Sequence, residues 1–322
     1  MLMGLFVGAV CAQQKPELQT GPEFRLRRTV DIVTVDVSVR DARGNFLRDL
    51  QKKNFRVLED GFERPITNFE SSESPALVLV MVETGPSVYL LQSQHIGAAH
   101  SLMDGLAAND WIALVGYNQS PRVLQIFTQQ KQEVLRGLLG MGFRAGASEL
   151  NFFKSLSTVL DWIATIPGRK SIIVLTTGLD TEHPRRWDSL KEKLGASEVV
   201  VYPIALGGSL RSFRQLKQPE VEEGTKLSFE QADQDLKEIA RLTGGRAYFP
   251  SKAKDFEGIY REISSAVRHT YNLGFAPAVH DGAFHKIDVL VLDAKGRVQA
   301  PVEGKKRGLQ IQARQGYIAA RP

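Results

Sequence analysis

"LVMVETGPSVYLL", Leu79 to Leu91, is the stretch on which the fold turns. An apolar run ends in Glu-Thr-Gly-Pro-Ser, and helix-like sequence follows. In an open α/β sheet, ligands bind in the crevice beyond the carboxyl ends of the strands. The turn at Glu83–Ser87 therefore sits where a metal site, a phosphate loop, a nucleophile turn or the remnant of one belongs.

Outward from this stretch, strands and helices alternate from Pro75 to about Thr270. Short apolar runs at Ala76–Glu83, Trp111–Tyr117, Ser171–Thr177 and Val199–Leu206 suit strands covered on both faces. Pro121 to Gln129 follows the second strand so closely that it reads as an antiparallel edge strand. Helices are expected over Ser87–Leu106, Gln130–Leu139, Asn151–Ile166, Arg185–Leu194, Phe229–Thr243 and Lys254–His269. Two carry apolar stripes at helical period. One runs through Phe229, Ala232, Leu236, Ile239 and Ala240, the other through Phe256, Ile259, Tyr260, Ile263 and Val267. Both read as core packing. "TGGRAYFP" (Thr243 to Pro250) is a helix stop with Gly244 and Gly245 as C-cap, followed by a short strand.

The flanks have a different period. Val33, Val35, Val37 and Val39 alternate with polar residues, as in a half-buried strand. "DARGN" (Asp41 to Asn45) is a turn, and "NFRVLEDGFERPITNF" is a hairpin whose Asp60-Gly61 accepts positive φ. After Tyr271 the period of two returns at Ile287, Val289 and Val291. "DAKGR" turns, and Leu309, Ile311 and Ala313 form another strand. Each flank is small to bury a core alone, and chain ends commonly meet in space. The expected architecture is a doubly wound, mostly parallel α/β domain at 73–270. It is inserted between β segments at 24–72 and 271–322, which pair into one β-sandwich.

Composition narrows the function. The 322 residues are 43% hydrophobic and 24% charged with net charge +5, ordinary for a globular chain. No basic run interleaved with aromatics marks a nucleic acid partner. Arg25, Arg27 and Arg28, like Lys305, Lys306 and Arg307, read as solvated charges. The single cysteine, Cys11, excludes an intrachain disulfide and a cysteine zinc site. The start, "MLMGLFVGAVCAQQKPE", is apolar to Ala12 and then polar, like the h-region and cleavage site of a secretory signal at 1–12, with 13–23 a linker. It lacks a basic n-region, as if the true start lay upstream. It is too short to span a bilayer at ~20 residues. Lipid attachment at Cys11 is disfavoured because Val10 is large for the preceding position. The expected location is secreted, periplasmic or cell envelope.

Motif by motif, catalytic chemistry is eliminated. "ETGPSVY" has one glycine where G-x-G-x-x-G is needed. "PGRKSIIV" orders Gly168, Lys170 and Ser171 like a phosphate loop, but a strand follows. "GPSVY" and "GASEL" lack the second glycine of G-x-S-x-G. His95 and His100 are five apart and off a shared helix face, so they read as surface or packing residues, as do His280 and His285. Glu83, Asp180, Glu182 and Asp188 have no spacing that signals an acid–base pair.

A sequence of landmarks carries more. "LVLVMVETGPS" is a buried strand ending in an acid, with serine opening a helix. "NDWIALVGYN", "GASELNFFKSL" and "GRKSIIVLTTGLD" follow in order. Together they resemble the von Willebrand factor type A (VWA) domain. The flanks "VDIVTVDVSVRDARGNFLRDLQKKNFRVLEDG", "YNLGF" and "RQGY" are similar to exported bacterial, acidobacterial-type VWFA-related proteins, over nearly the full chain. The resemblance implies a Mg²⁺-type site from D-x-S-x-S, a threonine and a second aspartate. These fall on Glu83, Gly85 and Ser87, on Ser148, and on Thr177.

The departures weaken that site. Mg²⁺ takes hard oxygens in near-octahedral geometry at ~2.0–2.1 Å. Glu83 adds a methylene, Gly85 removes a ligand and Thr177 replaces a carboxylate with a hydroxyl. Were Mg²⁺ or Mn²⁺ held, Glu83, Ser87 and Ser148 would hold it, with Asp180 and Glu182 as further loop carboxylates. The expectation is a degenerate site with no cofactor and no catalytic residue. The resemblance then implies a non-enzymatic adhesion or interaction module with a protein partner. A structural envelope component with an unused crevice is the alternative, and a metal-dependent binder or a carboxylate hydrolase stands behind it.

Overall fold

The computed structural model describes residues 32–71, 75–85, 92–141, 150–181, 186–206, 223–252, 254–293, 295–299 and 309–321. The signal-like segment, the linker, Cys11, both basic clusters, Ser87, Ser148 and Glu182 lie outside the described residues, as do the side chains of 92–98 and 223–228.

The chain opens with β1 (Val33–Arg40), β2 (Phe55–Glu59), β3 (Phe62–Arg64) and β4 (Ile66–Glu70). The central region runs β5 (Ala76–Glu83), α1 (Gln92–Gly105), β6 (Trp111–Tyr117), β7 (Pro121–Thr128), α2 (Lys131–Leu139), α3 (Phe152–Ala164), β8 (Arg169–Thr176), α4 (Trp187–Ala196), β9 (Val200–Ala205), α5 (Glu223–Thr243) and α6 (Asp255–Arg268). It closes with β10 (Thr270–Phe275), β11 (Phe284–Val291), β12 (Gln310–Ala313) and β13 (Gly316–Ile318).

The central sheet has the order β7-β6-β5-β8-β9. β5 is parallel to β6 and β8, β8 is parallel to β9, and only β7 is antiparallel, at an edge, as its short connection dictates. Every residue of β5 is buried, which its unbroken apolar run requires. One core lies between the sheet and α1, α2 and α6, the other between the sheet and α3, α4 and α5. Asp110, almost fully buried, fixes the sheet's amino edge: its two carboxylate oxygens accept Ala76 N–H at 2.8 Å and Ala107 N–H at 2.7 Å.

The flanks do pair. Strands β12-β1-β10-β4 make one four-stranded sheet and β13-β11-β2-β3 another. Val35, Val37 and Val39 of β1 face Phe55, Val57, Leu273, Phe275 and Ile287 in a shared core. Each fully buried valine is worth roughly 1.5 kcal/mol or more. The expected hairpin turn has Asp60 at φ 50° and Gly61 at φ 85°.

Several boundaries move. β8 starts at Arg169 and stops at Thr176, leaving Thr177 in the loop; α4 covers Trp187–Ala196; α5 begins at Glu223, ahead of its apolar stripe. "TGGRAYFP" makes a single parallel bridge from Tyr248 to Ile204 in place of a strand. A Cβ on Gly245 would sit 1.8 Å from Val201 O, so only glycine lets the chain turn onto β9 there. β13, in "RQGY", had no periodicity to announce it because it is three residues long.

The two layers are fastened by Arg314. Its guanidinium donates to Gly195 O at 2.9 Å and Ser197 O at 3.0 Å, capping the C-terminus of α4, and to Gly316 O at 2.8 Å. A cation there meets the negative end of the helix. Burial pulls its pKa down to about 10, still charged at neutral pH. Among the described residues, no helix is long and apolar enough to cross a membrane.

Candidate functional site

The carboxyl edge of the central sheet gathers Glu83 from β5, Tyr117 from β6, and Thr176 and Thr177 from β8 and the loop beyond it. Parallel register places Glu83 opposite Tyr117. All four are buried, Glu83 completely.

One oxygen of Glu83 collects the donors. Oε2 accepts the Thr177 N–H at 2.7 Å and the Thr177 hydroxyl at 2.8 Å. Tyr117 OH and Thr176 Oγ1 each stand 3.2 Å from Oε2 and 2.5 Å from each other. With one proton apiece, these two hydroxyls make two of those three bonds at a time. Thr176 Oγ1 also accepts Gly178 N–H at 2.8 Å. The other oxygen, Oε1, is buried with no hydrogen-bond partner among the described residues. It faces Gly85, where a Cβ would lie 3.4 Å from it. Burial is the main reason that the Glu83 pKa is raised, and the bonds from Thr177, Thr176 and Tyr117 oppose that shift. Burial likewise raises the Tyr117 pKa, so its hydroxyl keeps its proton.

The predicted site residues are thus partly assembled. Glu83 and Thr177 are joined directly, and Gly85 adjoins them. Asp180 is turned elsewhere: its Oδ2 accepts Phe153 N–H at 2.8 Å and caps α3 from outside the helix. Thr181 ties the same loop to Leu150 O at 2.8 Å through its N–H. Ser87, Ser148 and Glu182 lie outside the described residues. Tyr117 and Thr176 were missed by sequence reasoning. The signal was their place: both end strands that flank β5, in parallel register with its acid.

The described donor set is a poor match for Mg²⁺, which needs six oxygens around one point. Oε2 already takes several donors, Gly85 has no side chain and Asp180 holds a helix end. Among the described site residues, Oε1 of Glu83 and the neutral Thr177 hydroxyl oxygen are what remain. The extra methylene of glutamate explains the arrangement, since it lets the β5 carboxylate reach the β8 loop.

By strand order and polarity, with helices on both faces, the central region has a von Willebrand factor type A-type fold. No protein-family model matches the chain, and no curated protein matches it. Among solved structures, the chain is similar to an aerotolerance-related membrane protein from Bacteroides fragilis carrying multiple mutations to serines, at 12% identity and a TM-score of 0.46, over 60% of this chain and 98% of that one. Von Willebrand factor type A from Catenulispora acidiphila matches at 11% and 0.45, over 80% and 74%. The ArnB paralog VWA2 from Sulfolobus acidocaldarius matches at 13% and 0.40, over 90% and 77%. At these identities and scores the similarities transfer no activity, ligand or partner.

Proposed function

We propose that the chain is a non-enzymatic protein-binding module of the cell envelope or secreted space. Its contact surface is the carboxyl edge of the central sheet, and it engages its partner without a divalent ion. The observation that carries this reading is the closure of Glu83 onto Thr177: the acid that a metal would need is committed to a neighbouring loop. The leader-like start of the sequence supports the location.

The test is partner capture on the immobilised chain, compared across variants. Thr181→Lys, on the exposed part of the edge, is expected to abolish capture. Phe62→Ser, exposed on the sandwich, is expected to leave it intact, and exhaustive chelation is expected to change nothing. Capture lost in EDTA and restored by Mg²⁺ would overturn the metal-independent reading. Capture lost on Phe62→Ser and kept on Thr181→Lys would move the surface to the sandwich.

A further inference from the structure

The β6–β7 turn and Thr84, just after β5, line a partly open cavity of about 210 Å³. Pockets for drug-sized ligands run to roughly 300–1,000 Å³, so this one suits a single side chain. Leu124 and Met141 form an apolar wall. Gly116 keeps the cavity open: a Cβ there would press on Thr84 Cγ2 at 3.1 Å and Leu124 Cδ1 at 3.2 Å.

Much of the remaining lining is polar. Asn118 Oδ1 accepts Gln119 N–H at 2.6 Å, and Asn118 Nδ2 has no partner among the described residues. Gln119 and Ser120 are exposed and line the cavity as well. Arg122 adds a guanidinium that has no carboxylate partner among the described residues. Thr84 contributes no free donor, because its N–H and hydroxyl both go to Tyr117 O, at 2.8 and 3.0 Å. No carboxylate is among the described residues that line the cavity. Glu83 is not in the lining; one of its oxygens is held by the Thr177 hydroxyl.

We propose that this cavity receives an aspartate or glutamate side chain of the protein partner, its carboxylate on the Arg122 guanidinium and the turn amides, its methylene carbons against Leu124 and Met141. A guanidinium binds a carboxylate in a planar, paired geometry that an amide ligand does not satisfy. The protein's own cation supplies the charge, so no ion is required. This inference rests on the reading of the carboxyl edge as the contact surface.

The experiment is an NMR titration of the full chain in EDTA with N-acetyl-aspartate N-methylamide, its glutamate homologue and its asparagine analogue. Saturable shifts are expected at the Asn118 and Gln119 side-chain amides and at Arg122 Nε–H with the two acids, at millimolar affinity, and not with the asparagine analogue. Arg122→Gln is expected to weaken the acids by about tenfold with an unchanged melting curve, since Arg122 is exposed. Equal binding of acid and amide, or acid binding that survives Arg122→Gln, overturns the proposal. If the acids fail to bind while Thr181→Lys still abolishes partner capture, the carboxylate cavity falls and the edge reading stands. If Thr181→Lys leaves capture intact, the edge reading itself falls.

Discussion

Thr177 gives both its backbone N–H and its hydroxyl to a single oxygen of Glu83, at 2.7 and 2.8 Å. The pair bolts the end of the central strand to the loop after its neighbour. Thr177→Val keeps the shape and removes the hydroxyl. It is expected to cost about 1–3 kcal/mol in urea denaturation. Glu83→Asp draws the carboxylate back and strands both Thr177 donors, so it is expected to cost at least as much, with no rescue by Mg²⁺.

Glu83 also sets a pH dependence. Its folded pKa lies above the ordinary value of 4.5 because the carboxyl is buried. The sign follows: the folded chain holds a proton that the unfolded chain releases. Glu83 therefore contributes most below the unfolded pKa, and that contribution is lost as pH rises through the raised folded pKa. Glu83→Gln, which is neutral throughout, is expected to gain on wild type as pH rises from acid toward neutral. Parallel pH profiles for the two proteins would refute this.

Arg314 joins the sandwich to α4 through two carbonyl oxygens at the helix end. Arg314→Met removes a nearly buried guanidinium and leaves those carbonyls unserved. A loss of about 3 kcal/mol is expected. Hydrogen exchange should quicken around Gly195–Ser197 and in β13 ahead of the central sheet.

His285 is held between two acids. Nδ1 lies 2.7 Å from Asp60 Oδ2, and Nε2 lies 3.1 Å from Asp281 Oδ1. Two acceptors require both ring nitrogens to donate, which only the imidazolium does. The Asp281 and Asp60 bonds raise the His285 pKa. Tyr317 packs on the ring at 5.6 Å, and Lys286 turns its ammonium to Asp288. The stabilisation is fully present below the ordinary histidine pKa of about 6.5 and is lost as pH rises through the raised one. The stability gap between wild type and His285→Gln should therefore shrink as pH rises. A gap that widens toward alkaline pH would contradict the clamp.

Asp180 separates a cap from a ligand. Asp180→Ala is expected to cost about 1 kcal/mol through the loss of the α3 cap. Asp180→Asn, which still presents an oxygen to Phe153 N–H, should restore most of it. Melting curves in Mg²⁺ and in EDTA should superimpose for both variants.

Much of the fold was legible because its signals are local. Alternating valines announced β1, unbroken apolar runs announced β5, β6, β8 and β9, and Asp60-Gly61 announced the first hairpin. The close approach of Pro121 to the preceding strand gave β7 its direction. At the metal-type positions the sequence itself shows glutamate, glycine and threonine where the VWA resemblance implies aspartate, serine and aspartate. His285 read as a packing or surface residue and Asp180 as a loop carboxylate, but the groups that hold them were not legible. Their partners lie 225 and 27 residues away in the chain, outside any local pattern.

The sequence by itself determined which segments are strands and which are helices, and it put Glu83 and Thr177, but not Tyr117 and Thr176, at the carboxyl edge. Periodicity and turn chemistry act over a few residues, and that is the range those features need. Only the tertiary structure decided what the edge does with its side chains. Glutamate is one methylene longer than aspartate, and parallel register puts the loop after β8 within its reach. Oε2 therefore meets Thr177, whose N–H and hydroxyl offset part of the cost of burying the carboxyl.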